Sequence, residues 1–173
     1  MTFVIILGGI DLSVGSLLAL GGAVGAGLLG SGFGAKNPIQ FPFFLAIGFA
    51  IIVTLTIGAI NGIAVSKFNI APFAMTLGMM LLARGLAYVF IHFVVQGVAG
   101  TPITFMHPAF SYLGDGMILD FIPTQALVFF GLAILFNFIL TSTQYGRDIM
   151  AIGGSSTIAR LAGINVEKTI IVT

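Results

Sequence analysis

Residues 43–65 read FFLAIGFAIIVTLTIGAINGIAV, a stretch that is long enough to cross a bilayer and contains no charged side chain. A transmembrane helix needs about 20 predominantly apolar residues. Within lipid, every backbone N–H and C=O must find its partner inside the protein, so such a segment is expected to be an α-helix. This stretch therefore predicts an all-α membrane protein.

The composition of the whole chain agrees with that prediction. Its 173 residues are 58% hydrophobic and 6% charged, whereas soluble domains carry about 25% charged residues. So few charges cannot cover a soluble globule, and lipid is expected to surround most of the chain. The net charge of +1, with no basic patch, argues against a nucleic-acid partner. The absence of cysteine excludes disulfides, thiolate metal sites and cysteine nucleophiles.

Further apolar stretches flank the first one. We predict four full spans and two partial ones in a polytopic transmembrane helix bundle. Residues 1–173 are expected to be part of a single transmembrane domain. Because both ends fall inside apolar stretches, the chain is expected to be an internal piece of a longer membrane protein. The full spans are residues 12–30, 43–65, 72–96 and 122–142, and the partial ones are residues 1–10 and 169–173.

The Lys and Arg residues predict the orientation of these spans. Two connections, residues 31–42 and 97–121, lie on one side and contain a single basic residue, Lys36. Those on the other side, residues 66–71 and 143–168, contain four. Because cytoplasmic loops are enriched in Lys and Arg, the second pair is expected to face the cytoplasm. The four basic residues are Lys67, Arg147, Arg160 and Lys168.

The sequence GGIDLSVGS at residues 8–16 interrupts the apolar pattern. Gly8 and Gly9 favour the end of one helix, and Asp11 or Ser13 is suited to cap the next. One interpretation is a capped turn at the membrane surface. The other is a broken helix that lines a translocation path, because a break within a bilayer is tolerated only beside protein or water.

Two polar residues lie inside predicted spans. Arg84 is near the middle of residues 72–96, where a charge is costly unless it faces protein or water. Three roles stay open for it: a partner inside the bundle, a path-lining residue, or a side chain that snorkels to the membrane surface. Asn61 is better suited to hydrogen bonding between helices than to ligand binding. Both are nevertheless kept, with Asp11 and Ser13, as candidates for a translocation path.

Pairs of glycines lie four residues apart within two of the spans. Gly21 with Gly25, and Gly58 with Gly62, allow helix backbones to approach closely. Ordinary bundle packing is the simpler interpretation, and glycine-lined walls of a pore are the alternative.

The residues needed for common enzyme chemistry are missing. No cluster of His, Asp and Glu has metal-ligand spacing, and neither a P-loop nor a G-x-S-x-G motif occurs. We therefore expect neither an enzyme nor a cofactor on this chain. If the protein uses ATP, another chain must bind it.

Residues 145–168, YGRDIMAIGGSSTIARLAGINVEK, form a polar island in this apolar sequence. Gly153 and Gly154 are expected to break the chain within it. Ser155 or Ser156 can cap a short helix, TIARLA, which Gly163 can end in a left-handed conformation. A helix of one or two turns is unstable alone, so it is expected to dock against a partner. Its apolar face would contain Ile158, Leu161 and Ala162, while Arg160 points elsewhere. The alternative is an interfacial helix that lies on lipid headgroups.

Three motifs together resemble the permease subunits of ABC importers for ribose and related simple sugars. They are GGIDLSVGSLLAL, then INGIAV followed by PFAMTLGMMLLARG, then YGRDIMAIGGSSTIARLAGINVEK, in the order and spacing of that family. The resemblance covers nearly the whole chain. Family members have more spans than the four counted here, so a chain of this length is not expected to transport a solute alone.

The resemblance implies partners for the polar island. Its short helix, at about residues 155–162, would be a coupling helix that docks on a separate ATPase subunit binding ATP and Mg. A second permease subunit, an extracytoplasmic sugar-binding protein and a location in the cytoplasmic (inner) membrane are implied as well. The candidate coupling residues are Arg147, Gly153, Gly154, Ser155, Ser156, Arg160, Gly163 and Asn165.

Two other functions remain as alternatives. A branched-chain amino-acid permease of the ABC type would share the architecture, although GIDLSVG points away from it. A channel or membrane scaffold without an ATPase partner is the third hypothesis.

Overall fold

The computed structural model describes residues 1–29, 41–93, 116–118 and 122–173, which are mostly helical. The all-α fold class is thereby confirmed. Lys36 and most of the two connections at residues 31–42 and 97–121 lie outside the described residues. The helices are α1 (Thr2–Ile6), α2 (Val14–Leu28), α3 (Phe43–Phe68), α4 (Pro72–Phe93), α5 (Thr124–Ser142), α6 (Gln144–Gly154), α7 (Ser156–Leu161) and α8 (Val166–Val172). Two short strands, β1 (Met117–Ile118) and β2 (Ile122–Pro123), pair antiparallel just before α5.

Three of these helices, α3, α4 and α5, are long and apolar enough to cross a membrane. The first predicted span is shorter than expected, because α2 has 15 residues. At 1.5 Å per residue this is about 22 Å, less than the roughly 30 Å of a hydrocarbon core. The difference arises at Asp11–Ser13, where the backbone is not helical.

Helix α2 lies at the centre of the bundle and packs against α3 and α4. Its buried residues Leu20, Ala23 and Val24 contact Ile57 of α3 and one face of α4. The α4 residues of that face are Met79, Ala83 and Ala87.

The glycine pair on α2 lies at this interface. A Cβ at Gly21 would be 2.9 Å from the Thr54 methyl group of α3, and one at Gly25 would be 3.7 Å from the Ala50 Cβ. Close helix packing is therefore the correct interpretation of this pair.

A short turn connects α3 to α4, and local residues define where each helix ends or begins. Asn69, with φ of 52°, ends α3 in the left-handed conformation, which Asn tolerates better than most residues. Pro72 then occupies the first turn of α4, where its missing N–H costs nothing.

The polar island contains more helix than the sequence predicted. Residues Gly153 and Gly154 were expected to break the chain, yet α6 includes both and ends at Ser155. The helix forms because Gly146, Ile149 and Ile152 recur every third residue and are buried together. Thr143 caps α6 by accepting a hydrogen bond of 3.2 Å from the N–H of Gly146.

Two backbone contacts hold the polar island at the same end of the bundle as the α3–α4 turn. Gly153 of α6 lies directly against the Ile6 carbonyl of α1. On α3, Gly62 faces the backbone of Ile171 in α8, where an added Cβ would be 2.9 Å from the Ile171 Cα. The connections at residues 66–71 and 143–168 thus share one end, as the predicted orientation requires. Their four basic residues, Lys67, Arg147, Arg160 and Lys168, are all exposed.

Candidate functional site

The break between α1 and α2 is organised by Asp11. The Asp11 Oδ1 accepts hydrogen bonds from the Ser13 N–H at 2.8 Å and from the Ser13 hydroxyl at 2.6 Å. Of the two residues predicted to cap α2, Ser13 is the N-cap residue, but its side chain makes no capping hydrogen bond. Asp11 instead binds Ser13 in the turn just before the helix. Its negative charge is also favourable at the positive end of the α2 dipole.

Asn61 of α3 joins this group. Its Nδ2 donates to the Ser13 Oγ at 3.2 Å. Since the Ser13 hydroxyl proton goes to the carboxylate, the Ser13 Oγ can only accept, and this requires the amide nitrogen to face Ser13. The predicted hydrogen bond between helices is thus confirmed. The structure brings Asp11, Ser13 and Asn61 together, as three of the four candidate path residues.

A fourth polar residue, Thr76 of α4, binds the backbone of the break. Its hydroxyl donates to the Ile10 carbonyl at 3.2 Å. Asn61 lies seven residues before the end of α3, a depth of about 10 Å. The break therefore lies beside α3 and α4, and α4 satisfies its Ile10 carbonyl, as a broken helix requires. The sequence analysis did not single out Thr76; its only signal was a hydroxyl within an apolar span.

A cleft of about 630 Å³ opens beside the break. That volume is within the roughly 300–1,000 Å³ of small-molecule sites. Most of its wall is apolar and comes from α1, α3 and the end of α8, including Gly58 and Gly62. The pore-wall interpretation therefore remains open for this second glycine pair. The polar side chains of the wall are Asp11, Thr54, Asn61, Thr76 and Thr173.

Arg84 lies apart from this group. It is exposed on α4, twelve residues from Pro72 and so about 18 Å along the helix. The described residues that line the cleft do not include it. A role for Arg84 in a translocation path stays a prediction, as do the two other roles considered for it.

The ends of α7 match the sequence-based prediction. The Ser155 Oγ accepts from the Ile158 N–H at 3.3 Å, so Ser155 is the cap and Ser156 the first helical residue. Gly163, with φ of +84°, adopts the left-handed conformation that follows the helix. Asn165 then caps α8, because its Oδ1 accepts from the Lys168 N–H at 3.0 Å.

One side of helix α7 is packed against neighbouring helices, and the other side is exposed. Ala159 is 2% exposed and packs with Ile152 of α6 and Val166 of α8. On the outer side, Ile158 is 68% and Leu161 is 86% exposed. Exposed apolar side chains that lie together on a polar segment are typical of a surface that meets a protein or a membrane.

The comparisons with known proteins agree with the resemblance found in the motifs. Residues 1–173 match the family described as branched-chain amino acid transport system / permease component. The ribose import permease protein RbsC of Haemophilus influenzae is 37% identical over 172 residues, which cover 97% of this chain and 48% of that protein. RbsC of Escherichia coli K12 is 38% identical over 168 residues, covering 97% and 49%.

A relative named for another sugar is similar over the same region. The galactofuranose transporter permease protein YtfT of Escherichia coli K12 is 35% identical over 173 residues, which are 100% of this chain and 46% of that protein. The chain thus spans about half the length of the curated relatives it matches. No solved structure matches it. Together with the three membrane-length helices, these similarities make the chain a multi-pass membrane protein.

Proposed function

Because this chain belongs to the family described as branched-chain amino acid transport system / permease component, we propose that it is part of the permease subunit of an ATP-binding cassette importer. Its solute is a simple sugar of the ribose type, and its location is the cytoplasmic (inner) membrane. The relatives named for ribose and galactofuranose support this solute class. Its partners are a second permease subunit, an ATPase subunit that binds ATP and Mg, and an extracytoplasmic sugar-binding protein.

One observation supports coupling to the ATPase more than any other. Helix α7 is capped at its start and packed through Ala159, yet it presents Ile158 and Leu161 outward. A short helix on such a support can transmit a force that is applied to its exposed face. The segment of residues 143–168 then receives the motion of the ATPase, with Arg147 and Arg160 beside the contact.

The same segment also reaches the cleft. Val166 of α8 packs beneath α7, and residues 170–173 at the other end of α8 form part of the cleft wall. A displacement of α7 would therefore reach Asp11 and Asn61 through a single helix.

The transport function is tested with the full-length protein, reconstituted in liposomes with its ATPase and binding protein. We expect ATP-dependent accumulation of labelled ribose and none of labelled leucine. Accumulation of leucine alone would favour the second candidate, the amino-acid permease that the family description names. Solute movement that is independent of ATP would favour a channel.

The coupling surface is tested by reversing one charge. Arg160→Glu is expected to weaken association with the ATPase about tenfold, as is common for charges at an interface, and to leave membrane insertion unchanged. The matched control is Lys67→Glu, which makes a comparable reversal of charge at an exposed position near the end of α3, at the same end of the bundle but outside residues 143–168. If both variants bind the ATPase like the parent protein, Arg160 does not belong to the coupling surface.

A further inference from the structure

We propose that the cleft beside the α1–α2 break selects solutes that donate hydrogen bonds and rejects solutes that carry a carboxylate. This selectivity rests on the proposed transport function and narrows its substrate class. Neutral polyhydroxyl compounds fit the cleft, and sugar acids and amino acids do not.

Among the described residues, the hydroxyl groups of the cleft wall already donate their protons within the protein. Thr54 donates to the carbonyls of Ala50 and Ile51, at 3.1 and 2.9 Å. Thr76 donates to the Ile10 carbonyl, and Thr173 to the Thr169 carbonyl at 2.8 Å. Since a hydroxyl has one proton and two lone pairs, each of these side chains offers a solute only an acceptor.

The two remaining polar side chains are also mainly acceptors. The Oδ1 of Asn61 is a buried acceptor without a hydrogen-bond partner among the described residues, so it can meet a solute only when the side chain turns toward the cleft. Both hydrogen bonds from Ser13 go to the Oδ1 of Asp11, which leaves the second carboxylate oxygen available. Against these acceptors there is one side-chain donor, the second N–H of Asn61.

The charges of the cleft wall also disfavour a solute that carries a carboxylate. Of the described residues that line it, none is Lys, Arg or His, and Asp11 is an acid. The Asp11 carboxylate binds Ser13 just before α2, and its negative charge there repels a second anion from that end of the helix. A solute carboxylate would lose its hydration without gaining a cation or enough donors, which is unfavourable. The hydroxyls of a sugar donate protons and suit the same wall.

Cysteine labelling can measure this selectivity at the cleft itself, without the binding protein. The chain contains no cysteine. In a full-length protein from which any cysteines outside this chain have been removed, Thr54→Cys is the single reactive thiol and reports on the cleft alone. Ribose and its open-chain alcohol ribitol are expected to slow the reaction of this cysteine with a maleimide. Ribonate, the open-chain acid with the same number of carbons, is expected to need a concentration at least about tenfold higher, because it forfeits at least one hydrogen bond to a charged group.

Thr56→Cys is the matched control. Thr56 lies on the same helix and its hydroxyl also bonds to the carbonyl four residues before it, but it is exposed and is not among the described residues of the cleft wall. Its labelling rate is expected to be the same with all three solutes.

Asp11→Asn provides the second measurement. Asparagine retains an acceptor for the Ser13 N–H and caps helices about as well as aspartate, but it replaces a charged acceptor by a donor. In this background ribonate is expected to protect Thr54→Cys nearly as well as ribitol does.

Two results would overturn the selectivity while the transport function stands. One is equal protection by ribonate and ribitol in the parent protein. The other is no protection by any solute although the complete assembly accumulates ribose. Failure of the complete assembly to accumulate any sugar would instead overturn the transport function. The inference is supported if ribose and ribitol protect the cysteine better than ribonate does in the parent protein, and if Asp11→Asn removes this difference between ribitol and ribonate.

Discussion

At the scale of single residues, Ser13 and Ser16 illustrate how differently two buried hydroxyls contribute. Both are almost fully buried near the start of α2. Ser13 connects Asp11 to Asn61, whereas the Oγ of Ser16 has no hydrogen-bond partner among the described residues. A buried polar group contributes to stability only when it is paired.

We therefore expect Ser13→Ala to destabilise the full-length protein by about 2 kcal/mol, because it leaves the Asn61 amide unpaired. Thermal unfolding in detergent measures the change. Ser16→Ala is the control and is expected to be neutral or slightly stabilising. Equal losses for the two variants would contradict the bridging role assigned to Ser13.

The glycine pair of the polar island permits a second test. A Cβ at Gly153 would collide with the Ile6 carbonyl, while one at Gly154 would meet nothing within 4 Å. Gly153→Ala is expected to push α6 away from α1 and lower the free energy of unfolding by about 2 kcal/mol. Gly154→Ala is expected to cost nothing, since Ala is the better helix former. Unfolding curves that show no difference would mean that α6 does not pack on α1 as described.

At the scale of elements, α7 owes its position to its neighbours. Six residues do not form a stable helix by themselves. Ser155 satisfies its start, and the cluster of Ile152, Ala159 and Val166 joins it to the helices on either side. The face that remains open is then available to a partner.

Substitutions on the two faces of α7 are expected to separate folding from docking. Leu161→Glu changes the most exposed large apolar side chain of the helix, so it is expected to abolish capture of the ATPase and leave the thermal stability unchanged. Ala159→Glu buries a charge in the cluster and is expected to cost several kcal/mol. Normal ATPase capture by the folded Leu161→Glu variant would show that α7 faces something else, such as lipid headgroups.

At the scale of the whole molecule, the bundle has two distinct ends. One contains the α3–α4 turn and the polar island, and its basic residues are exposed. At the other, the Phe41 N–H donates to the Leu28 carbonyl at 2.9 Å, where α2 ends close to the start of α3. The predicted orientation places the first end in the cytoplasm.

Single cysteines at the two ends are expected to react from opposite sides of the membrane. A maleimide that does not cross the bilayer is expected to label Lys67→Cys and Lys168→Cys in inverted vesicles but not in intact cells. Phe41→Cys, exposed at the other end, is the control and is expected to show the reverse pattern. If Lys67→Cys and Lys168→Cys label in intact cells, the polar island faces outward and the coupling role proposed for it is wrong.

The sequence by itself determined the features that depend on composition and on local hydrogen bonding. Apolar length predicted α3, α4 and α5, because a bilayer requires helices of that length. The caps of α7 were also predictable, since the Ser155 hydroxyl and the freedom of Gly163 act on residues a few positions away. The family motifs, which the similar permeases confirm, were equally visible in the sequence.

Only the tertiary structure decided how distant residues meet. The start of α2 depends on Asp11, but the burial of the break depends on Asn61 and Thr76, which lie 48 and 66 residues away from their partners Ser13 and Ile10. Gly153 of α6 lies against the Ile6 carbonyl of α1, which is at the opposite end of the sequence. The cleft exists because α1, α3 and α8 come together beside that break. No local pattern encodes such contacts, since their free energy is gained only when remote segments exclude lipid and water from one another.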